Sequence, residues 1–147
     1  MVKRRTSRQD AIRKVVRSKP IRTQRDLVLE LRDLGFTCTQ ATVSRDIADM
    51  GLRKLSEGAY VLAEDLHLQH MVSEFVINIE CVDNQVVVKT QTGTAPGVAA
   101  AIDAADLAEI IGSIAGNDTV LAICRSSESA VTVVGLLGKL RSIRSMQ

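Results

Sequence analysis

The residues best equipped for chemistry in this chain stand close together between Thr39 and Gly51, in TQATVSRDIADMG. Gln40, Thr42 and Ser44 bring amide and hydroxyl groups that exchange hydrogen bonds, and Arg45 brings a fork of donors suited to a phosphate or to the O6/N7 edge of guanine. Ala41 and Ala48 leave room for close approach. That is the chemistry of duplex DNA recognition rather than of catalysis. A solvated amphipathic helix with small and polar residues outward has the same composition, so the neighbouring elements must decide between the two.

Those residues need a helix to aim them, and its ends are marked. Thr39 is placed to cap it through its hydroxyl, and Gly51 can take the left-handed conformation that stops it. At about 100° per residue, Val43, Ile47 and Met50 share an apolar stripe, while Ala41, Thr42, Ser44, Arg45 and Ala48 lie on the other side. Upstream, Ala11, Ile12, Val15 and Val16 repeat at helical spacing, giving a first helix from Ser7 to Ser18 that Pro20 ends. Thr23 and Asp26 open a second helix with Leu27, Val28, Leu31 and Leu34 on its buried stripe. Only Phe36 to Thr39 then separates it from the third, the spacing of a helix-turn-helix. Downstream, LRKLSEGAYVLA reads as a hairpin around Ser56-Glu57-Gly58, with Leu52, Leu55, Tyr60 and Leu62 inward and Arg53 and Lys54 outward. Such a hairpin is the wing of a winged helix, or a hairpin that merely packs on the helices.

Charge separates the chain into two parts. Residues 1–64 hold 14 Lys/Arg against 8 Asp/Glu, giving +6, and residues 65–147 hold 5 against 9, giving −4, in a chain of net charge +2. Only the first part is suited to a polyanion. Lys3, Arg4, Arg5 and Arg8 form a basic arm at its start. Aromatics are 2% of the 147 residues. That is too few to stack unpaired bases, so duplex DNA fits better than single strands.

The expected domains are 1–64, a winged helix-turn-helix, a linker over 65–72, and 73–147. In the last of these, FVINIECV alternates as a strand and QVVVKT follows as a β-branched one, Thr94 caps a helix running to about Ala105, LAEIIGSIA and TVLAIC give two more strands around Gly116-Asn117, and Ser126 or Ser127 caps a final helix. Val131, Val134 and Leu137 of that helix are expected on the sheet, with Lys139, Arg141 and Arg144 near its C-terminus. The fold class is therefore α+β, with a second domain of β-β-α-β-β-α order and its helices on one face of an antiparallel sheet.

No catalytic constellation is present: GxSxG, Walker A and HExxH are all missing, and TGTAPG is not followed by the Lys-Ser/Thr pair of a phosphate loop. The chain is expected not to be an enzyme. Cys38, Cys81 and Cys124 are odd in number and dispersed, as in a reducing cytoplasm, and His67 and His70 have no third ligand beside them. No apolar run is long enough to span a membrane. In the acidic part, Asp103 near a helix end and Asp118 beside a turn offer charge-assisted hydrogen bonds to a guanidinium or ammonium group. Each also has a local role, Asp103 as helix surface and Asp118 as a turn former.

Three blocks, TQATVSRDI (39–47), KTQTGTAPGVA (89–99) and IIGSIAGNDTVLAI (110–123), resemble the bacterial arginine repressor family in order and domain position. The resemblance covers almost the whole chain. It implies a DNA-binding winged helix followed by an α/β domain that forms trimers and hexamers and binds L-arginine between subunits, with no other cofactor. Such proteins repress arginine biosynthesis genes and often activate catabolic ones. Carried over by position, Ser44 and Arg45 match the family's DNA-contacting pair, with Gln40 and Thr42 beside them. Asp103, Ala115, Asn117 and Asp118 match effector-binding positions. Two departures stand out. Asn117 replaces the first acid of the family's Gly-Asp-Asp turn, and the first helix of the second domain is about one turn shorter, with alanines where an amide side chain usually assists. An effector-independent or altered-effector member, acting as an architectural or hetero-oligomeric partner, is the alternative these departures raise.

Overall fold

The computed structural model describes residues 2–145, with side chains described for residues 7–142. The chain divides into two compact units after Ala63.

The first unit holds α1 (Val2–Ser18), α2 (Gln24–Asp33), α3 (Gln40–Asp49), β1 (Leu52–Lys54) and β2 (Tyr60–Leu62). Its core is entirely aliphatic: Ile12 and Val15 from α1, Ile21, then Leu27, Val28 and Leu31 from α2, Val43 from α3, and Leu52 and Leu62 from the hairpin. The hairpin is antiparallel, with Leu52 opposite Leu62 and Lys54 opposite Tyr60. The Tyr60 amide donates to the carbonyl of Ile21 at 2.8 Å, which ties β2 to the segment between α1 and α2. Two expectations are corrected here. The first helix begins before Ser7, so Arg8 belongs to it and not to a loose arm; the side chains of Lys3, Arg4 and Arg5 lie outside those described. Leu34 is exposed, because it stands at the C-cap of α2, one residue past the end of the helix.

The second unit begins with a helix where a linker was expected. Residues 65–72 lie inside α4 (Ala63–Phe75), whose Leu68 and Val72, four residues apart and on one face, are buried in the second core. Phe75 accordingly ends a helix, and β3 (Val76–Val82) starts one residue later than expected. There follow β4 (Gln85–Thr90), α5 (Ala95–Ala105), β5 (Ile110–Ala115), β6 (Thr119–Cys124) and α6 (Ser127–Ser145). The four strands pair antiparallel in the order β3-β4-β6-β5. Val86 and Val88 of β4 and Val120, Ala122 and Cys124 of β6 point to one face, where α4, α5 and α6 cover them. On α6 the buried residues are Ala130, Val133 and Leu137, while Val131 is 63% exposed. Val131 is one residue, roughly 100°, away from that stripe and so faces outward. The opposite face of the sheet is open at Ile114 of β5, which pairs with Leu121 of β6 and is 74% exposed.

Candidate nucleic-acid and effector sites

α3 has the cap that its sequence demands. The Thr39 hydroxyl accepts from the Thr42 amide at 3.3 Å, and Gly51, at φ +66°, turns the chain out of the helix. Val43 is fully buried and Ile47 and Met50 pack against the same core, so the outer face consists of Gln40, Ala41, Ser44, Arg45 and Ala48. Thr42 is half-buried, its hydroxyl 3.1 Å from that of Thr39, and Gln40 donates to Gln24 of α2 at 3.4 Å. Ser44 and Arg45 are exposed and carry no side-chain hydrogen bond or ion pair within the described residues. Their donors are therefore open to a ligand.

Sequence reading missed the residue that holds this helix from beneath. Asp46 is 1% exposed, and its carboxylate receives the guanidinium of Arg8 on α1 in a two-pronged ion pair, with Arg8 Nη2 donating to Oδ1 at 3.1 Å. Gln9 donates to the same oxygen at 3.4 Å. A buried carboxylate without such partners would be very costly, and the fork geometry of arginine satisfies both its oxygens. The hydrogen bond to Asp46 raises the Arg8 pKa further above its already high value, so Arg8 keeps its charge. A depression of about 210 Å³ lies beside the pair, lined by Arg8, Thr42, Arg45, Asp46 and Asp49. The available signal was a charged residue between Val43 and Ile47 on the inward side of the wheel.

In the second unit, the acidic residues lie at two ends of α5. Asp103, in its last turn, accepts a hydrogen bond from the Ser113 hydroxyl of β5 at 2.9 Å. It borders a cavity of about 380 Å³ lined by Ile102, Asp103, Asp106, Leu107, Ile110, Ile111, Gly112 and Ser113. Asp106, which sequence reading did not single out, is the left-handed C-cap of α5 and adds a second carboxylate to that cavity. Asn117 and Asp118 sit at the other end. The Asn117 carbonyl accepts from the amides of Gly93 at 3.0 Å and Ala95 at 3.4 Å, and the Asp118 carbonyl accepts from Thr90 at 2.8 Å. The Asp118 side chain accepts from the Thr119 hydroxyl, which in turn accepts from Lys89. Thr94, expected as a capping hydroxyl, instead donates to the Gln91 carbonyl at 2.7 Å. At 1.5 Å per residue, Ala95 and Asp103 are roughly 12 Å apart along the helix axis, so one chain does not bring Asp103 and Asp118 together around a small ligand. Ala115 packs its methyl against the core and has only backbone to offer a ligand.

Two family models match this chain in tandem: the arginine repressor DNA binding domain over residues 3–68 and the arginine repressor C-terminal domain over residues 72–139. Arginine repressors of Clostridium acetobutylicum and Thermus thermophilus are 42% and 41% identical to it, covering 91% and 93% of this chain and 96% and 93% of their own. That of Caldicellulosiruptor saccharolyticus is 40% identical over 88% of this chain and 91% of its own. The chain belongs to the arginine repressor family. As an arginine repressor family member it is a DNA-binding transcriptional regulator and not an enzyme.

Other chemistries find little footing. Among the described residues no three His, Cys, Asp or Glu side chains converge as metal ligands, and His67 and His70 are both exposed on α4. Burial raises the thiol pKa of Cys38 and Cys124, which keeps them protonated and unreactive. No helix among the described residues is long and apolar enough to cross a membrane.

Proposed function

We propose that this arginine repressor family member is arginine-responsive and reads duplex operator DNA in the cytoplasm with α3. Ser44 and Arg45 make the base or phosphate contacts, and Gln40 and Thr42 flank them. The observation that carries this reading is the exposed Ser44-Arg45 pair, without partners among the described residues, on a helix whose other face is fixed by Val43 and Asp46. Residues 1–64 form the DNA-binding domain and the remainder the oligomerising, effector-binding domain, with α4 at the start of the latter.

A single winged helix covers few phosphates, so the active species is a homo-oligomer, trimer to hexamer, in which linked heads raise one another's effective concentration on tandem sites. The exposed isoleucines of β5, Ile114 on the open sheet face and Ile111 at the register break, support assembly, since exposed apolar surface of this kind marks interaction sites. L-arginine is the effector, held between subunits by Asp103 and by Asn117 and Asp118 with the Ala115 backbone. The separation of the two acidic ends within one chain favours such a shared site. No other cofactor enters the reading. The regulated genes are those of arginine biosynthesis, repressed, and of catabolism, activated. The test is an operator titration with and without L-arginine, with mass measured in solution under the same conditions. Arginine-strengthened operator binding by an oligomer is expected, and an unresponsive monomer would overturn the reading.

Asn117 supports a second reading, an effector-independent or altered-effector member that acts as an architectural or hetero-oligomeric partner. An amide there removes one carboxylate from the guanidinium's surroundings. Calorimetry silent to L-arginine while operator binding persists would favour it.

A further inference from the structure

We infer that the Arg8–Asp46 ion pair is the positioning device that sets the orientation of α3 on DNA, and that Arg8 determines operator specificity without touching a base. This rests on α3 being the reading helix. Asp46 follows Arg45 directly in the chain, so any rotation of the helix that moves the Asp46 carboxylate also moves the guanidinium and hydroxyl of the reading pair. Within the first unit, the apolar contacts that hold α3, Val43 fully buried and Ile47 and Met50 half-buried, are non-directional and tolerate small rotations, and the Gln40–Gln24 hydrogen bond at its first residue is long, at 3.4 Å. The Arg8 fork is directional. It engages both Asp46 oxygens, and Gln9 donates to one of them, so the helix azimuth is fixed against α1 at a single point.

The placement of Arg8 suits a brace better than a DNA contact. Its side chain is 18% exposed and turned to Asp46, while Arg45 lines the same depression from the exposed surface. A buried pair of this kind is weak evidence for stability, because well-packed apolar residues often replace one at no loss. Its directional hydrogen bonds give it a use that apolar packing lacks. The consequence is a separation of effects: loss of the fork misaligns the reading face and spares the phosphate contacts made by other residues.

The test uses the full-length protein with operator and with a non-cognate duplex, titrated over a range of salt. Arg8→Lys keeps the charge and loses the fork. Operator affinity should fall about tenfold, the size of one good bidentate contact, with non-cognate affinity within about twofold of wild type and the salt dependence unchanged. Equal weakening on both duplexes, or a slope of log affinity against log salt reduced by about 0.9 in the charge-free double variant Arg8→Met, Asp46→Leu, would make Arg8 a phosphate contact and overturn the inference. Unchanged operator affinity would overturn it too. The double variant Arg8→Met, Asp46→Leu removes both charges and keeps an apolar contact. Its thermal stability should match or exceed wild type while operator affinity stays about tenfold low; recovery of affinity together with stability would reduce the pair to a structural role. Should Arg8→Lys not fold, the double variant decides. Absence of specific operator binding by wild type would instead remove the reading on which the inference rests.

Discussion

The Ser113 hydroxyl donates to the Asp103 carboxylate at 2.9 Å, joining the middle of β5 to the last turn of α5. Asp103 is exposed enough to meet a ligand, and Ser113 fixes the direction in which its oxygens point. Asp103→Asn should therefore weaken L-arginine binding by about 1.5–3 kcal/mol, the range for hydrogen bonds to a charged group. Ser113→Ala should cost less, on the order of 1 kcal/mol, through lost orientation alone. Calorimetry reads both. Equal heats and affinities for wild type and Asp103→Asn would remove Asp103 from the effector site.

Asn117→Asp restores a carboxylate at the β5–β6 turn. The position tolerates it, since the fold uses the Asn117 backbone carbonyl rather than its side chain, and the adjacent N-terminus of α5 favours negative charge. Arginine affinity should rise by about tenfold, the effect of one added charge-assisted hydrogen bond, with little change in melting temperature. An unaltered affinity would show that residue 117 does not face the ligand.

What could be read from the sequence was local. Thr39, Thr23 and Ser126 cap helices through contacts three residues away, and each makes the bond its position calls for. The β-branched and apolar composition of QVVVKT and TVLAIC located two strands, while their unbroken apolar runs left the choice of face to packing. What escaped depended on distant partners. Asp46 falls on the inward side of the α3 wheel, but nothing local shows what meets its carboxylate, because Arg8 stands 38 residues earlier. EDLHLQH reads as a linker because its charges and histidines dilute the pattern, and only the packing of Leu68 and Val72 onto a sheet formed later in the chain makes it a helix. Asp103 and Asp118 were singled out and the helix between Thr94 and Ala105 was legible, but that the Asn117-Asp118 turn packs at its N-terminal end depends on backbone bonds to Gly93, Ala95 and Thr90, more than twenty residues away.

Ile114 is the most exposed of the large apolar residues on the open sheet face, at 74%. Ile114→Asp puts a charge there without entering the subunit's core. The subunit should stay folded by circular dichroism, while sedimentation shows a shift toward smaller species, because a charge desolvated at an apolar interface has no partner to offset its burial. Wild-type sedimentation would exclude this face as the interface.

Leu31 is fully buried between α1, α3 and the hairpin in the first unit. Leu31→Ala should lower the stability of that unit by about 2–5 kcal/mol, the cost of lost burial plus a cavity. In a small unit this is a large share of the total. Chemical denaturation of the full chain should then show the first unit melting earlier, with arginine binding by the second unit retained. Simultaneous loss of both would mean that the two units unfold as one.

Arg45→Ala tests the reading face itself. Arg45 is exposed and has no partner among the described residues, so its removal leaves the core and the Asp46–Arg8 pair in place. If its fork meets a guanine edge, operator affinity should drop by about 1–3 kcal/mol, and substituting that one base pair in the operator should no longer matter to the variant. If it meets a phosphate, every duplex should weaken alike and the salt slope should fall by about one. Gel-shift titrations against operators altered one base pair at a time separate the two. Wild-type affinity on all of them would mean that α3 does not carry recognition, because among its exposed side chains only Arg45 brings a cation to DNA.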